Sequence, residues 1–441
     1  MLEVLSNRTY RHLFLAQAIA LVGTGLATVA LSLLAFDLAG ANAGIVLGTA
    51  LAIKMLAYIG IAPIASALAE RLPRRAVLVG LDLARAAVAL LLPFVTQIWQ
   101  IYLLIFVLQA ASAAFTPTFQ ATIPDILPDE KAYTKALSLS RLAYDLENLV
   151  SPMLAALLLS VVSYHSLFGG TALGFLASAA FVVSAVLPRA KMPPERGIYE
   201  RTTRGLRIYL ATPRLRGLLA LNLAIASGSA MVIVNTVVLV QSGFGLTQTA
   251  TAIALASFGA GSMLVALVLP KLLDRVPDRR AMLAGAALIS VCLLAGFVLA
   301  TRYAVLLPLW FVMGLGYSLA QTPSGRLLRR SSGEADRPAL FAAQFALSHA
   351  CWLITYPLAG WLGAKFGLAT SFVTLGAVAA AAVLLSMRLW PSDDPVELLH
   401  RHDGLVEGHP HLASDAGAAQ AAREHSHAYV IDDEHQRWPS R

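Results

Sequence analysis

Charge is scarce in this chain: Asp, Glu, Lys and Arg make up 13% of its 441 residues, against roughly 25% in a soluble domain. With 58% of the residues hydrophobic, that deficit excludes an ordinary water-soluble protein. Only two cysteines occur, Cys292 and Cys351, both inside apolar stretches, so there is no disulfide framework. No phosphate-binding loop and no nucleophile with a base beside it can be found, and no cofactor is expected, so the chain is not expected to be an enzyme. The pattern of a cleaved signal peptide is also missing. The first ten residues are polar and the apolar block after them is too long, so the first helix is expected to stay in the mature protein.

What the chain has is long apolar blocks. A bilayer span needs about 20 mostly apolar residues, because every backbone amide must find its partner inside the segment. The blocks predict helices near 11–36, 43–68, 76–97, 100–123, 136–162 and 165–188, then near 217–241, 246–269, 281–301, 304–323, 337–363 and 367–390. The expected fold is an all-α polytopic membrane protein of twelve spans in two six-helix bundles, 1–188 and 217–390. A cytoplasmic linker, 189–216, joins them, and a flexible His-rich tail, 391–441, follows. The net charge of +8 would prompt a nucleic-acid hypothesis in a soluble protein. Here the basic residues fall in alternate loops: Arg8 and Arg11, then Arg71, Arg74 and Arg75, then the linker, then Lys271, Arg275, Arg279 and Arg280, then Arg326, Arg329 and Arg330. By the positive-inside rule these loops and both termini are cytoplasmic, and nucleic-acid binding is rejected.

The two halves repeat. Glu70-Arg71-Leu-Pro-Arg74-Arg75 after the second helix is matched by Asp274-Arg275-Val-Pro-Asp-Arg279-Arg280 after the eighth, 204 residues on. Pro152 and Pro357, in the fifth and eleventh helices, are 205 residues apart. One shared offset for unrelated features is what a duplicated six-helix unit predicts. Over roughly residues 5 to 390 the sequence resembles the major facilitator superfamily, whose loop motif reads Gly-x-x-x-Asp-Arg-x-Gly-Arg-Arg. Glu70, Arg71, Arg74 and Arg75 match it, whereas Ser66 and Pro73 replace its glycines. The family's helix-five antiporter motif survives only as Ser151-Pro152. The resemblance implies alternating access by rocking of the halves, with the acid and arginines of each loop, including Asp274 and Arg275, acting as a charge clamp.

Ionisable residues inside spans cost about 2.5 to 3.5 kcal/mol each on insertion scales, so each asks for a partner or a function. Lys54, Arg85, Asp145, Glu147 and His349 fall near the midplane, and Asp82 nearer the basic-loop side. Asp82 and Arg85, three residues apart, are expected to neutralise each other. In the fifth helix, Arg141, Tyr144, Asp145, Glu147, Asn148, Ser151 and Pro152 share an arc of roughly 160° at 100° per residue. Arg141 is the natural partner of Asp145. That leaves Glu147 to meet Lys54, since the resemblance makes helices two and five near neighbours, and Glu147 then Asp145 are the candidates for taking up protons or contacting a cationic substrate. A permanent salt bridge is the alternative. Polar stripes run along helix one (Gln17, Thr24, Thr28, Ser32), helix four (Gln109, Ser112, Thr116, Gln120), helix seven (Asn222, Ser229, Thr236) and helix ten (Tyr317, Gln321, Ser324). These are the helices that line the transport path in the resembled family. Interhelical hydrogen bonding is the competing explanation for them.

Seven of the ten histidines lie in the last 51 residues. His400 with His402, His409 with His411, and His425 with His427 form three His-x-His pairs, and His435 follows among Asp432, Asp433 and Glu434. Imidazole suits nickel, copper, zinc and iron, so the tail is a candidate metal-collecting segment. A twelve-helix permease with such a tail resembles the nickel-resistance exporters of the NreB type. The expectation is a monomeric exporter of the bacterial inner membrane that moves a divalent cation, foremost nickel (Ni2+), in exchange for protons, with His349 as an intramembrane ligand. Export of an amphipathic organic compound of the multidrug, macrolide or siderophore kind is the alternative, and a non-transporting membrane metal sensor is a second.

Overall fold

Backbone polar groups have no partner in hydrocarbon except each other, and the apolar blocks answer that constraint by becoming helices. A computed structural model describes residues 2–39, 43–69, 72–188, 197–395, 397–401 and 424–439. The first half comprises α1 (Arg8–Ala39), α2 (Ala43–Ala69), α3 (Arg74–Leu91), α4 (Ile98–Ile126), α5 (Glu130–Leu159) and α6 (Tyr164–Ser184). A shorter helix, α7 (Ile198–Ala211), leads to the second half: α8 (Pro213–Val237), α9 (Gln248–Leu273), α10 (Asp278–Leu299), α11 (Tyr303–Gln321), the one-sided turn α12 (Ser324–Arg330), α13 (Arg337–Phe366) and α14 (Leu368–Leu389).

Among the described residues, eleven helices are long and apolar enough to cross a membrane. The twelfth long helix, α5, has 30 residues, ample length at about 1.5 Å per residue. Arg141, Asp145 and Glu147 depress its hydropathy, so the helix that least resembles a span by composition carries the most candidate chemistry. Asp129 starts it, accepting the amide of Ala132 at 2.7 Å, the usual way an orphan N-terminal donor is satisfied.

Packing repeats along with sequence. In the first half α1 lies against α5 and α6, α2 against α4, and α3 against α4 and α6; in the second, α8 lies against α13 and α14, α9 against α11, and α10 against α11 and α14. Helix for helix this is one arrangement used twice. The halves then meet through α2 on α13 and through α5 on α9, a reciprocal pair. Small residues permit the closest approaches: a Cβ on Gly261 would lie 2.0 Å from the Phe311 carbonyl oxygen, and one on Gly314 would lie 2.0 Å from that of Phe258, so α9 and α11 touch backbone to backbone.

Within the tail, β1 (Glu397–Arg401) and β2 (Glu424–Ala428) pair antiparallel, setting His400 across from His425. Beyond β2 the chain packs on the second half. Tyr429 and Ile431 are buried, the Arg214 guanidinium lies 4.9 Å from the Trp438 ring, and Arg204 reaches Asp433 at 3.1 Å. This end of the tail therefore has its own apolar anchors. His402, His409 and His411 lie outside the described residues, as do the side chains of His400 and His425.

Candidate functional site

Helix α5 divides its polar face between two tasks. On one side Arg141 pairs with Asp145 four residues on, and both reach the opposite half. Asp145, buried, accepts the Ser262 hydroxyl of α9 at 2.7 Å. Arg141 lies over the Tyr317 ring of α11 at 4.8 Å and donates to its hydroxyl at 3.5 Å. This pair is an inter-half contact at mid-depth, so any change in the relative position of the halves would break or remake it.

On the other side stands Glu147, one and a half turns from Arg141. Neither it nor Lys54 of α2 forms a hydrogen bond or an ion pair within 4.0 Å with the other, although each feels the other's charge. Lys54 sits 5.5 Å from the Tyr58 ring centroid. Tyr58 in turn donates to Gln109 of α4 at 2.9 Å and packs against two rings of α13, Phe345 at 4.8 Å and His349 at 4.7 Å. His349 completes a ring cluster with Phe345 (4.2 Å) and Trp352 (5.0 Å). Its Nδ1 lies 2.7 Å from the Phe345 carbonyl oxygen; that oxygen can only accept, so Nδ1 carries the proton and Nε2 is the remaining acceptor. Among the described residues the indole N–H of Trp352 is buried without a partner, a polar atom that a bound molecule would satisfy, whereas the Ser151 hydroxyl, also unpaired there, is wedged against Gly25 of α1. The side chains of Asn148 and Pro152, on the same arc of α5, fall outside the described residues. Among the described residues, no three His, Cys, Asp or Glu side chains converge as a metal ion would require.

Asp82 and Arg85 form their expected pair. Ser178 donates to Asp82 at 2.8 Å, and the guanidinium lies against Phe115 and Phe175 at 4.0 and 4.5 Å. All these partners belong to the first half, so the pair holds that bundle together. The polar stripes divide similarly. Thr24, Thr28 and Ser32 donate to carbonyls one turn back within α1, Gln17 accepts from Ser140 of α5 at 3.1 Å, and Thr236 accepts the Trp310 indole N–H at 2.8 Å.

At the basic-loop ends a charge network joins the halves. Asp125, at the end of α4, takes Arg74 of α3 at 2.5 Å and also Arg337 at the start of α13. Arg326 of α12 mirrors it: it pairs with Asp278 of α10 at 3.0 Å and reaches the first half at Glu130 (2.5 Å) and Thr134 (2.6 Å). Arg74 and Asp278 are equivalent positions, 204 residues apart, carrying opposite charge. Each half thus has one hub, negative in the first and positive in the second, held by its own helix start and extended across the gap. Asp274 and Arg275 are exposed and take no part in this network, while Arg75 donates to the Ala185 carbonyl at 2.5 Å. Glu70 and Arg71 lie outside the described residues. Sequence reasoning passed over Asp125, Asp278, Glu130 and Ser262. The offset of 204 applied to Arg74 would have found Asp278; Asp125 shows only as an acid directly after Pro124 at a helix end.

Two six-helix bundles around a mid-depth polar cluster, closed at one end by a charge network between them, define a polytopic membrane transporter. Residues 13–228 and 218–405 match the family described as Major Facilitator Superfamily, and the chain belongs to that family, which is not one of enzymes. It is 26% identical over 178 residues to the macrolide efflux protein A of Streptococcus pyogenes, covering 39% of this chain and 43% of that protein. To the uncharacterized MFS-type transporter YfiS of Bacillus subtilis (strain 168) it is 27% identical over 145 residues, 32% of this chain and 34% of that one. The chain therefore matches less than half the length of these relatives. The crystal structure of the human organic anion transporter MFSD10 (TETRAN) shares the fold with a TM-score of 0.75 at 13% identity, over 86% of this chain and 99% of that one.

Proposed function

We propose that this protein is an exporter of amphipathic organic compounds in the bacterial inner membrane, working by proton-coupled alternating access. The observation that carries the reading is the ring cluster of Tyr58, Phe345, His349 and Trp352, built across both halves beside Lys54 and Glu147. Aromatic walls with a few polar atoms suit an organic molecule with an apolar body. Trp352 offers a donor to such a molecule and His349 Nε2 an acceptor. Glu147, with no ion-pair partner within 4.0 Å among the described residues, is the group that exchanges the proton, with Lys54 as its counter-charge. With the basic loops cytoplasmic, the charge network would hold the cytoplasmic end shut, and rocking would have to part the Arg141–Asp145 contacts as well as the hubs. The naming of its relatives as macrolide efflux proteins supports an organic substrate.

A second reading, export of nickel or another divalent cation, is favoured by the strand register that sets His400 across from His425. Growth of cells expressing the protein on graded nickel, cobalt, zinc and a panel of toxic organics including macrolides separates the two. Protection against organics without protection against metals is the expected result. Protection against nickel alone would sink the organic reading.

A further inference from the structure

The linker between the halves is not merely a tether. Within it α7 is fixed against the protein by one face: Arg204, Gly205, Ile208 and Tyr209 are buried, and a Cβ on Gly205 would lie 1.9 Å from the Ala339 carbonyl oxygen of α13. Arg201 donates to the Ala67 carbonyl at the end of α2, and Arg204 pairs with Asp336 at 2.9 Å just ahead of α13. The helix thus bridges the basic-loop ends of two spans from different halves, and its rotation about its own axis is set.

What that rotation turns outward is apolar and basic. Tyr199, Leu206 and Leu210 are 74%, 39% and 46% exposed, and at 100° per residue they fall within about 40° of one another. Ile198 is 54% exposed. Arg207 flanks the stripe, 5.8 Å from the Tyr199 ring, and Arg216 is exposed at the start of α8. Exposed apolar residues continue along α2 beside it: Ile64 and Leu68, and Leu72 just after that helix, are 45%, 61% and 56% exposed, and Leu68 adjoins the carbonyl that Arg201 holds. An apolar stripe with arginines at its edge, level with the end of a span, is the pattern of a helix lying in the membrane interface.

We propose that α7 is an interfacial helix that binds anionic phospholipid, with Tyr199, Leu206 and Leu210 immersed at the boundary of headgroup and acyl chain and with Arg207 and Arg216 on lipid phosphates. The bilayer leaflet is thereby in contact with a helix that touches both α2 and α13, the pair across which the halves move.

The test uses full-length protein in liposomes of phosphatidylcholine alone or mixed with phosphatidylglycerol. Spin labels are placed one at a time through Leu206→Cys and Leu210→Cys, with Gly333→Cys, in an exposed loop, as the water reference. The unmodified chain gives the background from the buried Cys292 and Cys351. Collisions with oxygen should dominate at 206 and 210 and collisions with aqueous chromium oxalate at 333, and phosphatidylglycerol should deepen both α7 labels. In Arg207→Gln/Arg216→Gln the labels should stay immersed but lose the phosphatidylglycerol increment. Labels at 206 and 210 as open to chromium as the one at 333 would overturn the interfacial placement. Equal depth in both lipids, or an increment surviving in the double variant, would overturn the assignment of lipid phosphate to these arginines.

Discussion

Glu147 and Asp145 stand two positions apart on one helix, yet only one of them is free to change charge without dismantling the protein. Asp145 accepts from Arg141 and from Ser262 of the other half, so neutralising it removes a structural contact. Among the described residues Glu147 has no such partner, and Glu147→Gln should therefore fold and express as the parent does. Its efflux driven by a proton gradient should fall by about tenfold or more, equivalent to about 1.4 kcal/mol or more in the barrier. Initial rates in proteoliposomes with and without an imposed gradient check this, and unchanged gradient-driven export would make Glu147 a packing residue. Asp145→Asn should act differently, weakening the contact to α9 and lowering thermal stability as well as rate. His349 marks the limit of sequence at this scale. A lone midplane histidine reads equally as ligand or packing residue; its ring neighbours Tyr58 and Phe345, 291 and 4 positions away in sequence, decide its surroundings only after folding.

At the scale of elements, hydropathy made the spans legible, because the bilayer imposes a single length and a single backbone solution. Helix α5 was legible as well, but its start was placed six residues late, at 136, because Glu130–Lys135 is polar. That turn stands at the basic-loop end, where Glu130 and Thr134 meet Arg326. The linker helix α7 was not separated from its basic stretch, since its pattern is polar on average and reveals a face only once α2 and α13 pin it. Glycines were similarly opaque: Gly261 and Gly314 lie 53 residues apart, and only packing shows that each clears the other helix's carbonyl. Gly314→Val should force α9 and α11 apart at a cost of about 1 to 3 kcal/mol. A lowered Tm for the detergent-solubilised protein would register it; an unchanged Tm would show that the two helices can separate freely.

Over the whole molecule the duplication matters most where its copies differ. Asp125 and Arg326 are hubs of opposite sign, and each is held within its own half by a residue at an equivalent position, Arg74 or Asp278. Removing a hub leaves its partners as buried, uncompensated charges, which costs about 3 kcal/mol or more where burial is complete and less here, where Asp125 keeps 14% exposure. Asp125→Asn should therefore move the population toward an open basic side, read as a lengthened distance between spin labels at the ends of α4 and α13. Simple exchange of the cross-half pair, Asp125→Arg with Arg337→Asp, should not restore the closed distance, because the new arginine would face Arg74. Adding Arg74→Asp removes that repulsion, and the triple variant should close again. A latch built from independent pairs would instead recover in the double variant. The same hub logic bounds the role of the tail, which among the described residues approaches the network through Arg204, shared between Asp433 and Asp336, and through Asp394, which pairs with Arg330 of α12 and with Arg214. Ending the chain after Pro395 should leave the Asp125 and Arg326 contacts in place and export partly intact, whereas a metal sensor working through the tail would lose all activity.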